Sequence, residues 1–207
     1  ASQHSIELPA SLDEFVGYES LIAFLQRRAL HCLEGDMVEI GAFMGGGTVK
    51  LAKFAQSCGK KVYVIDTFEP GLDQTVSKGG VKASDVYRAF LEGRDMFEVY
   101  QEKTHGLANI ITIREDSRKV RFNPEQRFCF GFIDGCHQRA YVENDFHIVW
   151  HNLVAGGVLG FHDYNYDDWP QVTEAVHGLL REYQPEISEV HEVKGIYDIS
   201  SLLLIKK

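Results

Sequence analysis

The chain has 207 residues, 44% of them hydrophobic and 25% charged, and a formal net charge of −9 at pH 7. That length supports one sizeable core, and the acidic balance leaves no broad basic surface for nucleic acid or an anionic membrane. The expectation is one domain over 1–207 with a small-molecule partner, no nucleic acid and no membrane, and with self-association left open.

Residues Ala1–Gly17 are mixed in character and predict an arm. From Tyr18 to Leu30, Leu21, Ile22, Leu25 and Ala29 recur at helical spacing, so an arm and a helix fill 1–35. Met37–Ile40 then reads as a strand, and Thr48, Leu51, Ala52 and Ala55 as one helix face, which begins a βαβ alternation. Further strands are predicted at Lys61–Ile65, Ile110–Ile113, Phe128–Ile133 and Val158–Phe161, short as buried parallel strands are. The long connection Glu69–Ser84 is rich in Gly, Asp, Ser and Lys, and reads either as a lid or as an insertion without a role. Val142, Phe146, Val149, Trp150 and Leu153 mark a crossover helix, and Val172, Val176, Leu179 and Leu180 mark another after Asp168 and Pro170. Ile187–Val193 and Ile196–Ile205, separated only by Lys194-Gly195, predict an antiparallel hairpin. The core then covers 36–165, and a C-terminal helix and hairpin cover 166–207. No apolar run reaches the roughly 20 residues that span a bilayer, and the N-terminus lacks the order of a secretion signal. Cys32, Cys58, Cys129 and Cys136 form no CxxC pair and read as reduced core thiols, so a cytoplasmic protein is expected.

Ligands of such sheets bind beyond the carboxyl ends of the strands. After the first strand, Glu39-Ile40-Gly41-Ala42-Phe43-Met44-Gly45-Gly46-Gly47-Thr48 makes a glycine-rich turn into a helix, whose free N–H groups suit an anionic group. Asp66, about 25 residues after Gly41, ends the second strand, where a carboxylate can accept ribose hydroxyls or simply cap a turn. Glu115-Asp116-Ser117 follows the third strand and could hold an adenine amino group or cap a helix.

In this order, the segments VEIGAFMGGGTVKLA, VYVIDTFEP, ITIREDS, FIDGCH and GGVLGFHDYN resemble the class I S-adenosylmethionine-dependent methyltransferases, especially the macrocin-type sugar and natural-product O-methyltransferases. The resemblance covers about Asp36 to Asn165. It implies an α/β, Rossmann-like, seven-stranded, mostly parallel sheet with a C-terminal antiparallel hairpin and helices on both faces. It further implies S-adenosyl-L-methionine as cofactor and methyl transfer to a hydroxylated small-molecule acceptor, with or without Mg²⁺ or another divalent cation. Carried over by position, the cofactor set is Glu39, Gly41, Ala42, Phe43, Gly45, Gly46 and Thr48 in the first loop, Asp66 with Thr67 at the ribose, Asp116 with Ser117 near the adenine, and Asp134 at the sulfonium. Two alternatives stand beside it: a catalytically silent cofactor-binding module, and an NAD-linked oxidoreductase, against which the GxGxxG spacing is absent because no glycine follows Gly41 until Gly45.

At the reaction end, Asp134 sits in Ile133-Asp134-Gly135-Cys136-His137 and His162-Asp163 follows Phe161. If those two strands are neighbours, their ends lie about 5 Å apart and Asp134 and Asp163 can share a hard cation. His162 stands where metal-dependent members of the family often carry an acidic or amide residue; as a ligand it shifts preference toward Mn²⁺, Fe²⁺ or Zn²⁺. His137 or His162 could instead be a general base, or the cluster could be structural. Cys136 reads as packing. Phe161, Tyr164, Tyr166 and Trp169 read either as the wall of an acceptor pocket or as ordinary packing. His31, His147, His151 and His177 fall in helical patterns and read as surface or half-buried imidazoles.

Overall fold

The computed structural model describes residues 14–207, so most of the predicted arm lies outside the described residues. The strands are β1 (Asp36–Ile40), β2 (Val62–Asp66), β3 (Ile110–Arg114), β4 (Phe128–Ile133), β5 (Leu153–Tyr164), β6 (Ile187–Lys194) and β7 (Ser200–Lys206). The helices are α1 (Tyr18–Arg27), α2 (Gly46–Ser57), α3 (Ala83–Leu91), α4 (Met96–Thr104), α5 (Arg139–Trp150) and α6 (Pro170–Glu182). The strands form one sheet in the order β3-β2-β1-β4-β5-β7-β6. Neighbours from β3 through β5 are parallel, and β7 runs antiparallel to both β5 and β6. Strand order reverses between β1 and β4, and that switch point opens a crevice at their carboxyl ends.

Strand alternation divides the core between the two faces of the sheet. Met37 packs with α1, α2 and α4 residues such as Leu25, Leu51 and Val99, whereas Val38 and Ile40 pack with Phe146, Val149 and Val176 of α5 and α6. Leu203 and Ile205 join the first cluster while Leu202 and Leu204 join the second, as a period of two requires. Burial on both faces explains why these strands read as continuous apolar runs. In β4, a Cβ at Gly131 would lie 2.4 Å from Val149, so only glycine lets α5 pack this closely.

Four expectations need correction. Leu153 opens β5 instead of extending α5, because β5 begins before a bulge: Phe128 pairs with Leu153, but Phe130 pairs with Val158. β7 starts at Ser200, not Ile196, since residues Ile196–Asp198 form a turn in which Tyr197 and Asp198 have positive φ. The long connection ends at Lys82, before α3 begins at Ala83, and α3 and α4 are elements not expected from the sequence. Only Cys129 is a core thiol; Cys58 and Cys136 are half-buried, Cys32 is exposed, and all four are free. No helix among the described residues is long and apolar enough to cross a membrane.

Candidate active site

Three strand ends are laced together at the crevice. Gly41 donates its backbone N–H to Ile65 O at 2.9 Å, and Asp134 donates to Ile40 O at 2.8 Å. Asp66 Oδ2 accepts from the N–H groups of Ala42 and Phe43 at 2.8 and 3.1 Å, and Oδ1 accepts from Phe68 at 2.7 Å. The turn-capping role weighed for Asp66 is therefore present, and burial pushes its carboxyl pKa up. Gly41, Phe43, Asp66, Thr67, Ser117 and Asp134 all line one cavity of about 520 Å³.

Other candidates lie off that lining. Glu39 falls on the Met37 face of β1, beneath the loop, where its carboxylate accepts from the Tyr18 hydroxyl and from Thr48 Oγ1 at 2.5 Å. Gly45, with φ 84, caps α2 and packs against the Tyr100 ring, while Ala42 and Gly46 carry the loop between. The Asp116 carboxylate turns to Arg118 at 2.7 Å and to the Tyr141 hydroxyl at 3.2 Å, and the Arg118 contact holds it down at about 2. Ser117 and Glu115, rather than Asp116, face the cavity.

Burial pushes the Glu39 carboxyl up to about 7, against the pull of its hydrogen bonds from Thr48 and Tyr18. A carboxyl raised in the folded state keeps its proton where the unfolded chain has lost it, so stability falls as pH rises from 4.5 to 7. Glu39→Gln is expected to escape that decline and to gain about 3 kcal/mol on the wild type across the window, measured by urea unfolding at a series of pH values. A pH-independent difference between the two would refute the buried, proton-holding carboxyl.

Deeper in the cavity, five side chains form a continuous chain of acids and histidines. His137 Nδ1 lies 2.5 Å from Asp73 Oδ2, and His137 Nε2 lies 3.0 Å from Asp163 Oδ2. His162 Nδ1 reaches Asp163 Oδ2 at 3.2 Å and Asp134 Oδ1 at 3.0 Å. The β4–β5 pairing of Ile133 with Phe161 brings these ends together, as the neighbouring-strand argument requires. Burial opposes a charged His137, but its hydrogen bonds to Asp163 and Asp73 outweigh that and lift it to about 10. Burial likewise opposes a charged His162, yet the charges of Asp163 and Asp134 hold its pKa well above the ordinary value. Asp163 has φ 57, a left-handed conformation at the end of a strand. His162 Nε2 is buried without a hydrogen-bond partner among the described residues, and one ligand atom each from Asp134, His162 and Asp163 lie within 4.8 Å of one another.

Asp73 is a site residue the sequence reading did not find. It lies in the long connection, 64 residues from His137, and it accepts from the Thr75 N–H and hydroxyl as well as from the His137 N–H. The Asp-x-Thr pattern marks a local turn, but nothing local reveals the distant imidazole. The aromatic wall also differs from expectation. Tyr166 and Trp169 line the cavity, and Trp169 stacks on His137 with centroids 4.5 Å apart. Phe161 instead lies in the core against Phe146, and the Tyr164 hydroxyl pairs with His177 at 3.1 Å. Phe15, Phe43, Tyr87, Phe90, Tyr141 and Tyr197 supply the remaining rings of the wall.

Residues 38–164 match a family model described as a methyltransferase domain. No curated protein matches the chain by sequence. Among solved structures, the O-methyltransferase NovP is 14% identical, with 92% of this chain and 79% of that one covered at a TM-score of 0.68. CalS11, a TDP-rhamnose 3'-O-methyltransferase of calicheamicin biosynthesis, is 17% identical, with 89% and 77% covered at a TM-score of 0.60. TomG from Streptomyces achromogenes, an O-methyltransferase of tomaymycin synthesis solved with S-adenosylmethionine, is 13% identical, with 91% and 79% covered at a TM-score of 0.58. At such identities the likeness carries the fold, and the family model, spanning more than half of the chain, carries membership. The chain belongs to the methyltransferase-domain family, and its fold is that of these O-methyltransferases.

Proposed function

We propose that the protein transfers the methyl group of S-adenosylmethionine to a hydroxyl of a small-molecule acceptor, between the Gly41 loop and the acid–histidine chain. The observation that carries this reading is the convergence of Gly41, Asp66 and Asp134 on one cavity that runs into Asp163, His137 and Asp73. Transfer breaks the donor's S–CH₃ bond, leaves its electron pair on sulfur, forms O–CH₃ and hands the hydroxyl proton to a carboxylate of the acid–histidine chain.

The residues divide that work. The loop from Gly41 to Phe43 approaches the methionine end of the donor with bare backbone. Asp66 offers about four lone-pair sites, of which three already hold backbone amides, so it accepts one ribose hydroxyl while continuing to brace the loop. Thr67 sits beside it, and Ser117 faces the adenine. Asp134, His162 and Asp163 fit a divalent cation by donor type and spacing, and the partnerless His162 nitrogen is consistent with a polar group missing beside it. Such a cation, when bound, would lower the pKa of the acceptor hydroxyl. His137, bonded through both ring nitrogens to Asp73 and Asp163, is charged at neutral pH and orients the Asp163 carboxylate toward that hydroxyl, and Trp169 fixes its ring from one face.

Calorimetric titration with S-adenosylmethionine tests the proposal. Binding in the micromolar range is expected, weakened at least tenfold, about 1.4 kcal/mol, by Asp66→Ala. An absence of heat at millimolar donor in the wild type would remove it.

A further inference from the structure

The charges around the cavity say which acceptors it can take, given the methyl-transfer reading on which this inference rests. Among the described residues, eight aspartates and glutamates line the cavity, and no lysine or arginine does. Even with His137 and His162 both charged, the lining is net negative. Residues 1–13 also contain no lysine or arginine. Four cations on the surrounding segments are paired with carboxylates, Arg88 with Asp85 at 3.3 Å, Arg114 with Glu69 at 3.7 Å, Lys78 with Asp167 at 3.2 Å and Arg118 with Asp116 at 2.7 Å, and Lys82, between the lining residues Val81 and Ala83, is exposed and stays off the lining. The first two N–H groups of α3, which borders the cavity, are taken by the carbonyls of Thr75 and Asp73 at 3.0 and 3.1 Å. A phosphate or carboxylate on the acceptor would therefore meet neither a guanidinium, an ammonium nor those helix amides.

What the acceptor end offers instead is flat and apolar. Phe15, Leu72, Val81, Tyr87, Phe90 and Trp169 supply its walls. Phe15 meets Phe90 edge-on at 4.8 Å, and Trp169 lies over His137. A ring held against such walls gains buried apolar area and ring contacts, and a hydroxyl on that ring can reach the His137–Asp163 pair.

We infer that the acceptor is a hydroxylated aromatic molecule, neutral or cationic, bearing no phosphate or carboxylate. An amine on the ring is accommodated by the surplus of carboxylates; a nucleoside-diphosphate sugar finds no lysine or arginine in the lining for its phosphates, and the divalent cation proposed at Asp134, His162 and Asp163 is engaged by the reacting hydroxyl.

The test titrates three probes that share a catechol ring into protein saturated with S-adenosylhomocysteine, with Mg²⁺ present: neutral 4-methylcatechol, cationic dopamine and anionic 3,4-dihydroxyphenylacetate, with a thymidine-diphosphate sugar as the fourth. The neutral and cationic probes should bind at least about tenfold more tightly than the anion, and the nucleotide sugar should give no heat. Trp169→Ala should weaken the ring probes about tenfold without changing S-adenosylhomocysteine affinity. Leu72→Lys, at a position 38% exposed and tolerant of the change, should strengthen binding of the anion alone. The inference is overturned if the anion or the nucleotide sugar binds as well as the neutral ring, if no ring probe binds at millimolar concentration, or if both variants leave the probe affinities unchanged. Loss of S-adenosylhomocysteine binding itself would instead strike the methyltransferase reading.

Discussion

Asp163→Asn is expected to lower kcat by about 10²- to 10³-fold with an acceptor that the wild type turns over, while donor affinity stays close to the wild-type value. Asp163 is the hub of the acid–histidine chain: its Oδ2 faces His137 Nε2 at 3.0 Å and His162 Nδ1 at 3.2 Å. Burial would raise its carboxyl, but the two imidazoles, His162 foremost, hold it well below the usual carboxylate range. The amide keeps the shape and removes the charge. Asparagine also tolerates the left-handed conformation at φ 57 better than most residues, so the backbone should hold. Leaving two imidazoles without their shared carboxylate costs about 3–5 kcal/mol of stability, and thermal unfolding should accompany the kinetics. Asp73→Asn cuts the chain only at its far end and should cost about tenfold. Product release measured as S-adenosylhomocysteine distinguishes the two. A kcat for Asp163→Asn equal to the wild type's, in folded protein, would remove both the cation-holding and the proton-accepting roles given to this cluster.

How much of this could be read without coordinates depends on the range of the interactions. β1, β2, β4 and the carboxyl end of β5 are legible because strands buried on both faces must be apolar throughout, and their polar successors Gly41, Asp66, Asp134 and Asp163 then fall at the crevice by topology alone. Glu39 was legible in principle too: a period of two puts it on the face of Met37, away from Ile40, which lines the cavity. α4 also carries its own start signal, since Asp95 accepts from the Glu98 N–H at 2.9 Å and Met96, Val99 and Tyr100 recur on one face.

Long-range choices were not legible. Asp116 turns away because Arg118 and Tyr141 compete for it, and Tyr141 belongs to α5, 25 residues on. Phe161 and Trp169 look equivalent as aromatic residues beside the site, yet strand alternation sends the first into the core and the turn before α6 brings the second onto His137. Asp73 reaches His137 only because the connection from β2 folds back across the end of β4. Local pattern carries no information about such a contact.

Gly41→Ala should be among the most damaging single-methyl additions in the chain, destabilising it by about 3–5 kcal/mol and abolishing donor binding. A Cβ there would lie 2.1 Å from the Asp134 carbonyl oxygen and 2.7 Å from the Gly135 nitrogen, both backbone atoms that cannot swing aside. The backbone also has φ +91, which an L side chain rarely adopts. To relieve the clash β1 and β4 must part at their carboxyl ends, where Asp134 N–H meets Ile40 O. That movement separates the donor loop from Asp134, so stability and function fail together. Gly59→Ala is the control: its φ is +68 but none of the described residues lies within 4 Å of the added carbon, leaving backbone strain of about 1 kcal/mol alone. For a chain of this size the contrast corresponds to roughly 10 °C in melting temperature. Equal melting temperatures for the two variants would mean that Gly41 and Asp134 are not in contact, and the cavity on which the methyl-transfer reading depends would lose its geometry.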